Sequence, residues 1–426
     1  GIETNKFSSA ISERAFETNN IKLKLNSIKF KLDYKKLSLF LETKNPEIIY
    51  RNIPLPTENI KVYIDFIPLL KTNLKVKKIN LSLKELDIAQ LNKLSVLIKP
   101  SNFKSVINNK IKKGKLISEI EIFLNETGGL KNFIARGSVK DLEANIINNL
   151  NLTKTNLGFF ADKNDILIKN IFGLLGDIKI SDGDIKLNLE DGIKLNSNFN
   201  SKLDFNENLS KKYSRIFSNL NLLNNLRKIK ADFNNSIFIE LDNTYKIKNY
   251  NYNIFGKLKN GKIKFNKLEK NDFIKEEIEE VYLSELLIKS IINPKNINLK
   301  IDGKYSFDKK DFYKMSIENN IKDNKTNLSL NFDYGNSLEL ALINYKKTAN
   351  SIANIALSLI KNNKEIKITN LNYSENKNLI KINDLILRDN KFFSIKRLSV
   401  KTYNNDFFIQ KNKKIVKNGN KFDATN

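Results

Sequence analysis

Two residue types that carry much of protein chemistry are missing from this chain of 426 residues: it has no cysteine and no histidine. Thiolate catalysis, a Cys-ligated zinc and a disulfide framework are thereby excluded, and so is a Ser-His-Asp nucleophile with its near-neutral base. Carboxylates are the remaining candidates. Asp177, Asp182, Asp184 and Asp191 crowd one stretch, and hard oxygen ligands of that kind suit calcium. Their setting argues for turns instead, because they lie in or beside Asp182-Gly183 and Asp191-Gly192 and no EF-hand spacing follows. Glu276, Glu277, Glu279 and Glu280 could exchange protons, but no pocket-forming pattern surrounds them and a solvated acidic turn is the simpler reading. Gly173 and Gly176 lack the Gly-Lys-Ser/Thr ending of a phosphate loop. No catalytic residue, metal or cofactor is expected, and the chain reads as a non-enzyme.

Charge offers a second route to function. Lys and Arg number 74 against 47 Asp and Glu, a net charge of +27, which invites nucleic acid or an anionic membrane as partner. The basic residues are nearly all Lys and spread along the whole chain beside abundant Asn and Ile, whereas nucleic-acid readers cluster Arg with stacking aromatics. A solvated Lys face is therefore expected and nucleic acid is not. No stretch approaches the ~20 apolar residues of a transmembrane helix, and no signal peptide is legible at the start. A chain that opens on Gly1, with Met315 its one methionine, reads as part of a longer product.

What organises the chain is alternation. Ile178, Ile180, Ile185, Leu187, Leu189, Ile193 and Leu195 recur with Lys, Asn or Ser between them, and Leu328, Leu330, Phe332 and Tyr334 repeat the pattern. Side chains on a strand point alternately to opposite faces, so such a pattern writes a sheet with one apolar and one wet face. Four Gly-containing sites predict hairpins that keep the apolar residues together. Asp182-Gly183 would oppose Ile180 to Ile185 and Ile178 to Leu187, and Asn260-Gly261 would join Leu258 to Ile263. A three-residue loop at 190–192 would oppose Leu189 to Ile193, and one at 302–304 would align Ile301 with Tyr305 and Leu299 with Phe307. A second pattern, an apolar residue, two polar, then apolar-any-apolar, occurs at Val76, Ile368, Ile382 and Ile395. Asn383-Asp384 reads there as a turn, Lys77-Lys78 and Lys396-Arg397 as bulges.

Helical periodicity is sparse: 86–97, 101–112 with Ser101 as N-cap, 209–226 and 347–361, while 274–291 is ambiguous. The chain thus divides into a polar segment 1–20, a first sheet region 21–208 with short helices near 86–112 and a helical insertion 209–228. A continuation of the sheet follows over 229–410, with a helix near 347–361, and then a loose tail 411–426. The predicted fold is mainly β, a long, twisted, largely antiparallel sheet forming an elongated, taco-like hydrophobic groove with a few short amphipathic helices. So few helices cannot cover the apolar face. It must pack on itself as a sandwich, coil into a solenoid, or stay open for something apolar. If it is open, the inward-facing positions would be Ile178, Ile180, Ile185, Leu187, Leu189, Ile193, Leu195, Leu258, Ile263, Leu299, Ile301, Leu328, Leu330 and Phe332.

The run Ile21 to Leu41, the segment from Ile60 through Val76, Ile79, Leu81 and Leu83 toward Leu91, and the recurring bulge pattern together resemble the AsmA-like family. The resemblance covers roughly residues 20–410 and is one of pattern and order of elements. It implies a bacterial envelope protein, held to the inner membrane by a helix outside these residues. The implied periplasmic β-groove conducts phospholipid or another acyl-chain lipid toward the outer membrane, with envelope proteins as further partners. The family's pattern has no catalytic residues to carry over. A closed β-solenoid or sandwich scaffold, and a Lys-rich nucleic-acid binder, are the competing readings.

Overall fold

A computed structural model describes residues 12, 21–35, 38–50, 52–64, 76–88, 90, 110–147, 150–216, 225–244, 246–265, 278–410 and 413–416. Cα proximity divides the chain into a first unit, residues 1–200 and 238–248, and a second, residues 201–237 and 249–426. The strands run β1 (Ile21–Lys24), β2 (Lys29–Asp33), β3 (Ser38–Lys44), β4 (Glu47–Tyr50), β5 (Ile53–Ile64), β6 (Val76–Leu83) and β7 (Leu86–Asp87). They continue as β8 (Ile111–Leu124), β9 (Leu130–Ile147), β10 (Leu150–Ala161), β11 (Asp165–Leu175), β12 (Ile178–Asn188) and β13 (Ile193–Phe205). After the helix α1 (Glu207–Ile216) come β14 (Leu226–Leu241), β15 (Ile247–Lys264), β16 (Glu280–Asn293), β17 (Asn296–Ser306), β18 (Tyr313–Lys322) and β19 (Lys325–Tyr334). The remainder are β20 (Leu338–Leu340), β21 (Tyr345–Lys347), β22 (Ala353–Lys361), β23 (Glu365–Glu375), β24 (Asn378–Arg388), β25 (Lys391–Lys401), β26 (Asp406–Gln410) and β27 (Lys413–Val416).

The chain is mainly β and its pairing antiparallel, as the alternation predicts. In the first unit β2, β3, β5, β6, β8, β9, β10, β11 and β12 pair in that order. In the second, β15 to β19 pair in sequence and β19 then meets β22, from which pairing continues to β27.

The predicted turns are redistributed. Residues 189–192 do lie between strands, with Gly192 at φ 80°. Asp182-Gly183, Asn260-Gly261 and Asp302-Gly303, by contrast, all fall inside continuous strands β12, β15 and β17. Tight turns are made instead by Asp323-Asn324 (φ 50° and 60°) and Asp389-Asn390 (φ 49° and 61°). Asn and Asp accept the left-handed backbone that two-residue hairpins need, so Gly is not required there.

The glycines serve a different purpose. Asp141, Lys154, Asn170 and Asp182, one in each of β9 to β12, have φ between 48° and 54° in mid-strand, and the pairing register shifts around them. These are bulges standing side by side, a line along which the first unit's sheet bends. A bulge brings the next residue against the neighbouring strand. A Cβ on Gly173 would lie 2.0 Å from Thr155 Oγ1, next to Lys154, and one on Gly303 only 2.5 Å from Leu286 Cδ2, next to Glu285 with φ 54°. Gly183 stands in the same relation to Ile171.

Other expectations change in kind. The stripe at 347–361 is no helix: Tyr345–Lys347 and Ala353–Lys361 are strands, and Ile355, Leu357 and Leu359 pair with Phe332, Leu330 and Leu328. Ile352, which completed the helical stripe, is 61% exposed; a short apolar run satisfies both periods, and pairing with β19 decided it. Of the insertion at 209–228 the described part is helical over Glu207–Ile216, capped by Asn206 Oδ1 accepting from Leu209 N at 3.0 Å, Leu226 already belongs to β14, and 217–224 lie outside the described residues. Tyr213 of α1 is buried, its ring stacked on Phe205 at 4.5 Å. Near 86–112, Leu86–Asp87 and the residues from Ile111 onward are strand, while 91–109 lie outside the described residues. Of the ambiguous 274–291, the residues from Glu280 onward are strand (Glu280–Asn293), while 274–277, with Glu276 and Glu277, lie outside the described residues. Lys77 is the extra residue of a bulge, as read from the sequence. Asn383-Asp384 lies inside β24, Asp384 having φ 50°, and the extra residue of β25 is Phe393 rather than Lys396 or Arg397. Within the tail, Lys413–Val416 pairs with β26. Of residues 1–20 only Ser12 is described.

The Gly173 contact is directly testable. Gly173→Val should destabilise the first unit by about 1–3 kcal/mol, because buried Thr155 cannot move aside. Gly158→Ala, whose Cβ meets nothing closer than 3.7 Å, should stay within about 0.5 kcal/mol. Urea denaturation of both variants measures the difference.

Candidate functional site

In the second unit the alternation becomes a surface. Ile288, Ile301, Ile317, Leu330, Leu357, Leu371, Ile382, Leu398 and Ile409 are successive partners across nine strands, β16 to β19 and β22 to β26. At ~4.8 Å between strands this unbroken apolar row is roughly 38 Å long. The adjacent residues face the other way and form Lys289, Lys300, Glu318, Ser329, Ser358, Asn370, Asn383, Arg397 and Gln410, again nine partners without an apolar member. Charges on that side neutralise one another locally: Lys300 meets Glu318 at 2.8 Å, and Asp384 lies between Lys367 at 3.0 Å and Lys396 at 3.7 Å. The polar face is not free of apolar side chains, since Phe255 and Leu287 are more than half exposed.

All nine residues of the apolar row are half-buried; none reaches the core and none is fully exposed. Neighbours within the sheet screen them sideways. A second layer packed on them would complete their burial, as sheet-on-sheet packing does.

One margin of the face is closed. The small hairpin of β20 and β21 places Tyr345 over Ala353, Tyr373, Ile380, Val400 and Phe407, all buried, with Leu338, Leu340 and Ile343 beside them. Its polar groups are engaged: Tyr345 donates to Glu375 Oε2 at 3.0 Å, which leaves its oxygen to accept from Tyr373 at 2.8 Å. Lys347, 3% exposed, directs its ammonium at the carbonyls of Gly335, Asn336 and Thr348 at 2.8 to 2.9 Å. The hairpin is also held from outside, where Asn405 Nδ2 donates to Ile343 O and Tyr403 Oη to Lys346 O.

Burial and the neighbouring Tyr373 and Glu375 push the Tyr345 phenol well above its ordinary range, and burial pushes Tyr373 up to about 12. Burial opposes ionisation of Glu375, but hydrogen bonds from Ser351, Asn378 and Tyr345 outweigh it and hold the carboxyl below its ordinary value.

The sequence-derived positions are distributed between the units. Leu299, Ile301, Leu328, Leu330 and Phe332 lie on the apolar face of the second unit, joined through Ile317 and Met315. Leu258 is buried with Ala231 and Leu286, and Ile263 pairs with Val281. In the first unit Ile178, Ile180, Ile185 and Leu187 share one face and meet Leu175, Gly173, Ile168 and Ile166 of β11. They reach that face in a single strand, because the bulge at Asp182 reverses the parity that a hairpin was expected to reverse. Leu189 opens the 189–192 turn, Ile193 follows it as the first residue of β13, and Leu195 continues that strand; all three are half-buried. Ile355, Leu357 and Leu359 were hidden by the helical reading of their stripe, although their alternation is visible. The covering hairpin has no comparable signal, its strands being three residues each.

The carboxylates do not converge. Asp177 and Asp191 are in turns, and Asp182 accepts from Asn200 Nδ2 at 3.1 Å. Among the described residues there is no group of three or more acidic side chains placed to hold a metal, and no helix long and apolar enough to cross a membrane. No family model, curated protein or solved structure matches the chain.

The covering hairpin predicts a two-sided pH response. Neutral phenols with raised folded values stabilise it fully below the ordinary Tyr value of 10.0, and that contribution is lost as pH rises toward about 12. The depressed Glu375 acts in the opposite sense, its contribution lost as pH falls below its ordinary 4.5. In a phenolate absorbance titration Tyr345 and Tyr373 should ionise with the last class of tyrosines. Tyr345→Phe should destabilise the second unit by about 1–2 kcal/mol and remove one member of that class.

Proposed function

We propose that this protein binds and carries acyl-chain lipid on the apolar face of its antiparallel sheet, as part of a phospholipid-transfer system of the bacterial envelope. The observation that carries this reading is the row of nine half-buried aliphatic residues from Ile288 to Ile409, backed by an entirely polar row. An acyl chain of about sixteen carbons loses on the order of 12 kcal/mol when bared to water, at ~0.8 kcal/mol per CH₂. A continuous aliphatic strip removes most of that barrier by contact alone. One leaflet of a bilayer's hydrocarbon core is roughly 15 Å thick, so a strip of roughly 38 Å accommodates two extended chains end to end.

The resemblance of the chain's pattern to the AsmA-like family supports the same reading and supplies its setting: the periplasm, with anchorage in the inner membrane and phospholipid as cargo. Transfer of this kind needs no catalytic residue and no cofactor. The scaffold alternative requires the row to be sealed by another layer of protein, and its partial exposure favours the lipid.

Lipid extraction from the purified protein, followed by mass spectrometry, tests the proposal. Leu330→Asp with Leu357→Asp should lower retained lipid at least tenfold, since each removes roughly 1.5 kcal/mol or more of apolar contact. Ser329→Asp, on the same strand and the opposite face, should leave retention unchanged. A lipid-free wild-type protein, or equal loss from Ser329→Asp, sinks the reading.

A further inference from the structure

The second unit's sheet has two unlike margins. One is closed by the β20–β21 hairpin. At the other lie the turns 294–295, 323–324, 362–364 and 389–390, which share one edge because all pairings from β16 to β25 are antiparallel.

That open edge carries Lys295, Lys322, Lys325, Lys361, Lys364 and Lys391, all exposed. Among the described residues none of the six has a carboxylate within ion-pair distance. Among the described residues of this edge the acidic ones are Asp323, Glu365 and Asp389, and Glu365 is engaged by Arg388 at 3.1 Å. Two large aromatic rings stand out at the same place: Phe392 is 63% exposed and Phe393 51%. Phe392 pairs with Leu387 and so continues the apolar face to its rim, while Phe393 is the bulged residue whose ring lies 3.6 Å from the Arg388 guanidinium. Unpaired cations beside exposed aromatics, at the rim of an apolar face, match the two requirements of an interfacial membrane contact.

We infer that this edge docks on the surface of an anionic bilayer, with Phe392 and Phe393 entering the headgroup region and the lysines facing the phosphates. The contact would set the rim of the apolar face against the leaflet. It extends the acyl-carrying reading to a place of lipid entry, and vesicle binding is scored apart from retained lipid. Retained lipid without vesicle binding overturns the docking edge alone; vesicle binding without retained lipid overturns the acyl-carrying reading alone.

Sedimentation of the full chain with vesicles of phosphatidylcholine, with and without phosphatidylserine, provides the measurement. Binding should require phosphatidylserine and fall about tenfold or more between ~0.1 M and ~1 M salt, as the Debye length drops from about 10 to about 3 Å. The pair Lys364→Glu and Lys391→Glu should weaken partition at least fivefold, a loss of roughly that size being expected for each basic residue removed. Phe392→Ser with Phe393→Ser should weaken it comparably, and Lys377→Glu, at the opposite margin, should not. The lysine pair is exposed and tests the edge even if the phenylalanine pair unfolds. Absence of phosphatidylserine-dependent binding, or equal loss from Lys377→Glu, overturns the inference.

Discussion

Register is the constraint on which the rest of this structure depends. An apolar strip nine strands long exists only if every strand presents the same parity to its neighbour, since a slip of one residue would turn that strand's aliphatic side chains to the solvent. Along the row from Ile288 to Ile409 every strand keeps this parity, the register shifts near Glu285, Thr369 and Phe393 falling to either side of it. Asp323-Asn324 joins β18 to β19 through two left-handed residues with no shift along the pair, whereas after Asp389-Asn390 the bulged Phe393 adjusts the register before the row is reached.

Bulges are the permitted exception. In the first unit each of β9 to β12 spends one residue on a bulge, and because the four stand together the shifts cancel between neighbours. Leu175 with Ile178 and Ile168 with Ile185 therefore keep one register on either side of the bend. Asp, Asn and Lys occupy the left-handed position, and Gly on the next strand leaves room for the backbone that the bulge displaces. The sheet can thus change direction without breaking its apolar face.

The same logic separates what closes the face from what leaves it open. Sealing even one margin of the second unit takes a dedicated hairpin, with Tyr345 and Lys347 almost wholly buried and every donor of the Lys347 ammonium directed at a carbonyl. Among the described residues of the second unit the central row has no such cover, and its residues remain half-buried. On the polar face lysines pair locally with carboxylates, as Lys300 does with Glu318.

Much of this was legible in the sequence. Missing Cys and His removed whole classes of chemistry, and the alternation in Leu328, Leu330 and Phe332 identified both the strand and the face it presents. Side-chain direction along a strand is a local property, fixed by positions two residues apart, and a sequence records it faithfully. Turns and bulges are another matter. Between Ile180 and Ile185 the parity must reverse, and a hairpin at Asp182-Gly183 or a one-residue bulge at Asp182 reverses it equally well; only the backbone of β11 alongside selects the bulge. The stripe at 347–361 was undecided for the same reason, fitting a helix until β19 offered Leu328, Leu330 and Phe332 as partners. The sequence by itself determined that there would be strands with one apolar face. Which strands adjoin, where the sheet bends and which margin is covered were decided by the tertiary structure, because each depends on hydrogen bonds and packing between segments that are remote along the chain.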